Sequence, residues 1–448
     1  WPPRHGAHAA LSMRTLPVPT GRLAALLLVA AAPFALGVFD RWWLLVSVIV
    51  VIAVLGAVDG LRAPSPMSIE VRREFPASLV LGESATLRWL VENPSDRAIR
   101  ITVADALWPS LGASRRAATF DVAARSGHRF GATIEPARRG RFPFDALTVR
   151  TSGPLGLVQL QQSRAAPESL AVLPAHPSSE ALRTRLRVPL ETGVRSVRAR
   201  GTGTDFDQLR EYRPGDDIRK VDWAATARQQ KAIVRDFRAE RNQHVVALLD
   251  NGRAMAGTVG DTPRVEHAMD AVLGLTRVAT HLGDNVGLVT FDNQVRGLVP
   301  ASNSKAQFAR VTEAMYLLDP SYDESAYDVA FTTAASRFRR RSLFVVFTDV
   351  VASVVADSLL PAITTLTRTH LVLVAAVRDP DVAAWATASA GSADDAFRSA
   401  AAVASLDGRD RAIALLTAAG AVVVDSRPGD LAVDVVDAYL ALKVQGRL

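Results

Sequence analysis

The chain has no cysteine among its 448 residues. That excludes disulfides, thiolate nucleophiles and cysteine-ligated zinc together. It also has no glycine-rich phosphate loop, no Walker lysine and no G-x-S-x-G elbow, which argues against nucleotide hydrolysis or hydride chemistry by this chain alone. No arginine-rich tail and no basic stripe interleaved with aromatics occurs, so nucleic acid is not an expected partner. Of the eight histidines, His244, His267, His281 and His370 lie in or beside apolar segments. None is spaced with another as metal ligands are, and they read as packing or surface residues.

Hydrophobic residues make up 49% of the chain, at the top of the soluble range. The 22% of charged residues argues against long disorder. Net charge is +7, from 52 basic and 45 acidic residues interleaved along most of the length. A balance of this size is as compatible with an anionic membrane surface as with nucleic acid.

Two apolar runs without a charge, Leu23–Phe39 and Trp42–Val58, are separated only by Asp40 and Arg41. Each is roughly 17 residues, or about 26 Å as helix, near the lower limit for crossing a bilayer. A signal peptide would account for the first run but not the second, so the pair reads as a helical hairpin. Trp42 and Trp43 stand where an interfacial aromatic belt would lie. Arg4, Arg14 and Arg22 precede the pair, and Arg62, Arg72 and Arg73 follow it. The positive-inside rule then places both ends in the cytoplasm. Residues before Met13 carry no pattern, and Met13 is a candidate start.

From Ser68 to Ser163 polar and apolar residues alternate, as in Ala85-Thr86-Leu87-Arg88-Trp89-Leu90-Val91. Turn signals such as Glu92-Asn93-Pro94-Ser95 and Ser152-Gly153-Pro154 punctuate the pattern. This predicts a small antiparallel sandwich, Ig-like in outline. From Gln243 onward, near-continuous apolar strands alternate with helical segments: His244–Asp250, Val286–Asp292, Leu343–Asp349, Leu371–Ala376 and Ala421–Asp425. That pattern predicts an α/β domain with a doubly wound, mostly parallel sheet. Sites on such sheets lie at the carboxyl ends of strands, where Asp250, Asp292, Asp349 and Asp425 are expected.

The stretch from Gly201 to Arg228 resembles the signature of the bacterial "domain of unknown function fifty-eight" family. It includes Asp205, Asp207, Arg210, Tyr212, Arg213, Pro214, Gly215, Asp216, Asp217, Arg219, Asp222, Trp223 and Arg228. An N-terminal hydrophobic pair, a β-rich segment, this signature and a following α/β domain match that family over nearly the whole chain. The resemblance implies a von Willebrand factor A-like (vWA-like) fold, a bacterial membrane location and work beside a MoxR-type AAA+ ATPase in maturation or assembly of other proteins. It implies no catalytic activity. It also implies the layout of a metal-ion-dependent adhesion site, in which hard oxygen ligands converge on Mg²⁺. Asp250 matches the first aspartate of that motif, Ser325 takes the threonine position and Asp349 matches the last aspartate. Gly252 and Ala254 stand where two serines belong, so the site is degenerate.

The signature holds Asp205, Asp207, Glu211, Asp216, Asp217 and Asp222 beside Arg210, Arg213, Arg219, Lys220 and Arg228, with no histidine. Almost every acid has a basic neighbour, which suits a salt-bridged surface that docks a partner or the neighbouring domain, with Tyr212 and Trp223 as its anchors or as core residues. The chain is thus divided into a tail (1–22), a two-helix anchor (23–58), a linker (59–67), a β-rich domain (68–175), the signature segment (176–240) and the vWA-like domain (241–448). The expected function is a membrane-anchored, non-enzymatic adaptor facing the cytoplasm. The alternatives are metal-dependent binding of a carboxylate-bearing ligand at Asp250, and a hydrolase using the signature carboxylates, Asp216 and Asp217 among them.

Overall fold

The computed structural model describes residues 15–35, 41–184, 205–213, 218, 221–238 and 242–448. The chain divides into two compact units, Trp1–Leu173 and Pro174–Leu448.

In the first unit, two sheets share one core. A three-stranded sheet runs Glu70–Glu74, Ala85–Asn93, Ser126–Ile134. A larger sheet contains Ile99–Asp105, Ala117–Val122, Gly140–Ser152 and Val158–Leu173. The alternation read in the sequence puts Leu87, Trp89 and Val91 of one sheet and Ile101, Val103, Phe142 and Phe144 of the other into that core. Full burial of each such side chain stabilises the unit by about 1.5–3 kcal/mol. One charge pair is buried within it: Arg73 forms a two-pronged contact with Asp105 (2.7 and 2.9 Å), and the Trp89 indole donates to the same carboxylate at 2.8 Å. The buried charges are fully satisfied, as burial requires.

Helices Gly21–Ala35 and Trp42–Arg62 precede the sandwich. Among the described residues, one helix, starting at Trp42, is long and apolar enough to cross a membrane; Gly21–Ala35 is a shorter apolar helix. Residues 36–40, which include the end of the first apolar run, lie outside the described residues. The predicted N-terminal tail contains an element that the sequence reading missed. Leu16–Pro19 is a strand, antiparallel to Val158–Gln161.

The second unit is built on a six-stranded sheet in the order Val295–Ser302, Asn285–Phe291, His244–Asp250, Ser342–Phe347, Leu371–Val377, Val422–Ser426. All neighbours are parallel except the first pair. Every residue from Val245 to Asp250 is buried, because the strand is covered on both faces. Val245, Ala247 and Leu249 pack with helices Arg264–His281 and Leu431–Val444, while Val246 and Leu248 pack with helix Tyr327–Arg337 and with Ala412 and Leu416. At the amino end of the sheet, fully buried Asp284 accepts from Tyr439 Oη and Lys443 Nζ, both at 2.5 Å, which ties the C-terminal helix down.

The signature segment forms an antiparallel ribbon, Asp205–Glu211 with Ile233–Arg238, and a short helix, Trp223–Gln229. The ribbon's register shifts between Phe206 and Gln208, at Asp207. Pro214, Gly215, Asp216, Asp217 and Arg219 lie outside the described residues.

Candidate functional site

The four strand-end acids stand at the carboxyl edge of the six-stranded sheet, and each has its own partners. Asp250 is the last residue of the central strand and is fully buried. Its Oδ1 accepts from the Gly252 amide (2.9 Å) and the Ser325 hydroxyl (2.6 Å). Its Oδ2 accepts from Thr348 Oγ1 (2.6 Å) and Tyr327 Oη (2.8 Å), which lie 2.9 Å from each other. Burial raises the Asp250 pKa, and the donors from Ser325, Thr348, Gly252 and Tyr327 pull it back. Burial, then the Asp250 charge, pushes the Tyr327 phenol well above its ordinary value, so it stays a donor.

Gly252 owes its identity to close approach, since its φ of −86° suits any residue. A Cβ there would run into the Ser325 hydroxyl and come within 3.0 Å of the Asp323 carbonyl. Ser325 therefore fills the space in which a side chain at position 252 would stand. The segment that carries it is fastened to the sheet: Asn251 Nδ2 donates to the Asp319 carbonyl (2.6 Å), the Ser321 amide to the Asn251 carbonyl (2.7 Å) and the Arg253 amide to the Asp323 carbonyl (2.9 Å).

Asp349 belongs to a different network. Arg264 Nη1 meets its Oδ2 and Arg409 Nη1 its Oδ1, both at 2.8 Å. Arg409 also reaches Asp425 Oδ1 (2.7 Å), whose other oxygen takes Arg378 at 2.9 Å. Burial alone would lower the Arg409 pKa; the hydrogen bond to Asp425 and the charge of Asp349 outweigh it, and the net shift is upward. Asp292, the fourth acid, is held by Arg296 Nε at 2.6 Å.

This arrangement does not suit a divalent ion on Asp250, Ser325 and Asp349 as they stand. Both Asp250 oxygens are filled by donors, and the Ser325 hydroxyl hydrogen points at one of them. Two guanidinium groups already supply the positive charge at Asp349. Among the described residues, no group of three or more histidine, aspartate or glutamate side chains is placed to hold a metal. The structure brings Asp250 and Ser325 together and gives Asp349 to the arginines. Tyr327, Thr348, Arg264 and Arg409 escaped the sequence reading. Tyr327 and Thr348 are close neighbours of Ser325 and Asp349 in sequence, and a search for buried hydroxyls beside those positions would have found them. Arg409 sits on helix Ala393–Ala418 with no local signal.

Of the signature residues, Asp222 caps helix Trp223–Gln229, accepting from the Ala224 and Ala225 amides at 3.0 Å. Arg228 Nε turns back to the Ala224 carbonyl at 3.2 Å. Trp223 is 69% exposed and Ile218 is 65% exposed, whereas Tyr212 is half-buried. Arg213 is exposed, and the Asp205, Asp207 and Arg210 positions lie along the ribbon. Lys231 pairs with Glu211 at 3.0 Å across an exposed surface, which contributes little to stability. His370 packs edge-on to Phe344, with ring centres 4.7 Å apart, which fits the expected packing role.

These features define a mixed α/β protein with a buried carboxylate centre at the edge of a mostly parallel sheet. Residues 208–387 match the model of the family described as "Protein of unknown function DUF58". Uncharacterized proteins of Mycobacterium bovis and Mycobacterium tuberculosis are 24% identical to it over 182 residues, 40% of this chain. The match spans 56% of those relatives' own length, a little over half. Among solved structures, a conserved hypothetical protein BatB from Bacteroides thetaiotaomicron overlaps 46% of this chain and 97% of its own, at 14% identity and a TM-score of 0.29. The vWF domain of the type V pili tip protein Mfa5 from Porphyromonas gingivalis overlaps 25% of this chain and 38% of its own, at 14% identity and a TM-score of 0.19.

Proposed function

We propose that the chain is a membrane-anchored, non-enzymatic adaptor. In this reading its doubly wound, vWA-like domain faces the cytoplasm of a bacterium and works with a MoxR-type AAA+ ATPase in the maturation or assembly of other proteins. The observation that carries it is Trp223: a large aromatic side chain, 69% exposed, on a helix capped by Asp222 within the family segment. An exposed tryptophan, in a segment that also exposes Ile218, is the composition of a protein-binding hot spot rather than of a solvated face. The sheet order, with one antiparallel edge strand beside five parallel ones, supports the vWA-like reading. The apolar exposure of Leu28 and Val29 on one helix and Val50, Val51 and Val54 on the other supports a two-helix membrane anchor. Against the divalent-ion alternative, the Ser325 and Thr348 hydroxyls already donate to Asp250 and two arginines hold Asp349.

The test is native co-purification of the tagged full chain from its own membranes with a slowly hydrolysed ATP analogue, read by mass spectrometry. An AAA+ ATPase recovered with the wild type and lost with Trp223→Ala supports the adaptor. Recovery of the same ATPase with both, or of none, removes that face from the proposal.

A further inference from the structure

Both helices of the apolar pair are fastened to one turn of the β-rich unit, Ser152 to Val158. On the way in, the Thr20 amide donates to the Leu157 carbonyl (3.0 Å) and the Thr20 hydroxyl to the Gly156 carbonyl (2.7 Å), one residue before the first helix begins. On the way out, Asp59 lies in the last turns of the second helix and is fully buried. Its carboxylate accepts the amides of Leu155 (2.7 Å), Leu157 (2.7 Å) and Val158 (3.0 Å). A carboxylate near a helix C-terminus opposes the helix dipole, and three charge-assisted bonds from amides of the turn offset that penalty. The turn is shaped to receive it. A Cβ on Gly153 would collide with the Asp59 carboxylate, and Gly156 adopts a left-handed φ of 69°.

This joint sets a depth. The uncharged run ends at Val58, the residue before Asp59. At about 1.5 Å of rise per residue, the turn lies within about 5 Å of the end of the apolar span. The headgroup layer beyond a bilayer's hydrocarbon core is roughly 5–8 Å thick on each side. Around the turn stand exposed Leu155 (51%) and Leu61 (87%). Two exposed basic side chains accompany them: Arg62 in the last turn of the helix, and Arg22, whose guanidinium lies against Gly156. Scattered exposed leucines are ordinary. Two of them with two arginines, gathered at the end of an apolar span, are the composition of a surface that dips into anionic headgroups.

We propose that the Ser152–Val158 turn, with Leu61, Arg22 and Arg62, is a membrane-surface contact in the headgroup layer of an anionic bilayer, held at that depth by Asp59; this rests on the membrane-anchor reading above.

Because the chain has no cysteine, single-cysteine variants of the full chain can carry a nitroxide at one chosen site. Leu155→Cys and Leu61→Cys report on the surface and Val50→Cys on the span. Ser169→Cys, exposed and 11 residues along the same strand from Val158 (about 36 Å), is the aqueous reference. In phosphatidylcholine–phosphatidylserine vesicles, labels at 155 and 61 should collide with a water-soluble nickel chelate several-fold less often than the label at 169, and more often than the label at 50. Asp59→Asn, whose amide nitrogen cannot accept the turn's N–H groups, should raise chelate collisions at 155 and leave those at 50 unchanged. If 50 is shielded while 155 collides as freely as 169, the surface contact is wrong and the anchor stands. Free collision at 50 overturns the anchor and the contact together. Shielding at 155 that is equal in vesicles without phosphatidylserine overturns the anionic part.

Discussion

The Ser325 hydroxyl donates to the Asp250 carboxylate across 2.6 Å from the space that a side chain at position 252 would need. Glycine at 252 and serine at 325 are therefore one feature. A hydroxyl that a serine at 252 would otherwise bring to this edge of the sheet arrives instead from a loop more than seventy residues away in sequence.

That coupling is measurable. Gly252→Ala should destabilise the second unit by about 1–3 kcal/mol through overpacking. In the Ser325→Ala background the penalty should shrink by at least about 0.5 kcal/mol. Denaturant melts of the four proteins in the cycle decide it, and simple additivity would show that the two positions are independent.

Asp250 should behave differently with two substitutions. Asp250→Ala strands three hydroxyls and an amide, and is expected to cost about 3 kcal/mol or more. Asp250→Asn keeps an acceptor for Gly252 and Ser325 and offers a donor that the Tyr327 and Thr348 hydroxyls can accept, so it should fold with near-wild-type stability. The two are separated by their melting temperatures at neutral pH.

The pH dependence of that contrast has a definite sign. The folded pKa of Asp250 is raised, so its contribution to stability is present below the ordinary carboxylate range and is lost as pH rises through the raised value. Relative to the wild type, Asp250→Asn should gain stability as pH rises from about 4 to neutrality. A constant difference across that window would mean the carboxylate is not desolvated.

Histidine supplies the opposite slope. Burial lowers the His370 pKa in the folded state, so the neutral ring's contribution is present above the unfolded value and is lost as pH falls through the lowered folded value. His370→Leu, similar in volume against Phe344, should flatten the loss of stability between about pH 7 and pH 5. Thermal melts across that range provide the check.

Arg409 holds Asp349 and Asp425 at once, through separate nitrogens. Arg409→Met should destabilise by about 3 kcal/mol, because two largely buried carboxylates lose a shared counter-charge. Arg409→Lys should recover only part of it, since a single ammonium cannot reproduce the planar fork. Full rescue by lysine would reduce the network to simple charge.

Much of this was legible in one dimension. The five strand segments read from Gln243 onward are strands, because a strand covered on both faces needs an unbroken apolar run, as Val245 to Leu249 has. The alternation over residues 68–163 was equally direct, since one face of each strand meets water. The acids at the strand ends were legible as positions, because a chain leaving the buried sheet turns polar where it reaches the surface. Their partners were not. Tyr327 and Thr348 close on Asp250 from two different crossovers, and Arg409 reaches Asp349 from a helix sixty positions away in the chain. The strand Leu16–Pro19 is too short and proline-flanked to announce itself, and exists by pairing with Val158–Gln161. Asp59 likewise reads as the polar end of an apolar run, and only the turn folded over it makes it the joint of the first unit. Hydrophobic periodicity is a local property and was carried by the sequence alone. Which donor meets which carboxylate depends on segments distant in the chain, and that was decided only when the tertiary fold brought them within hydrogen-bond reach.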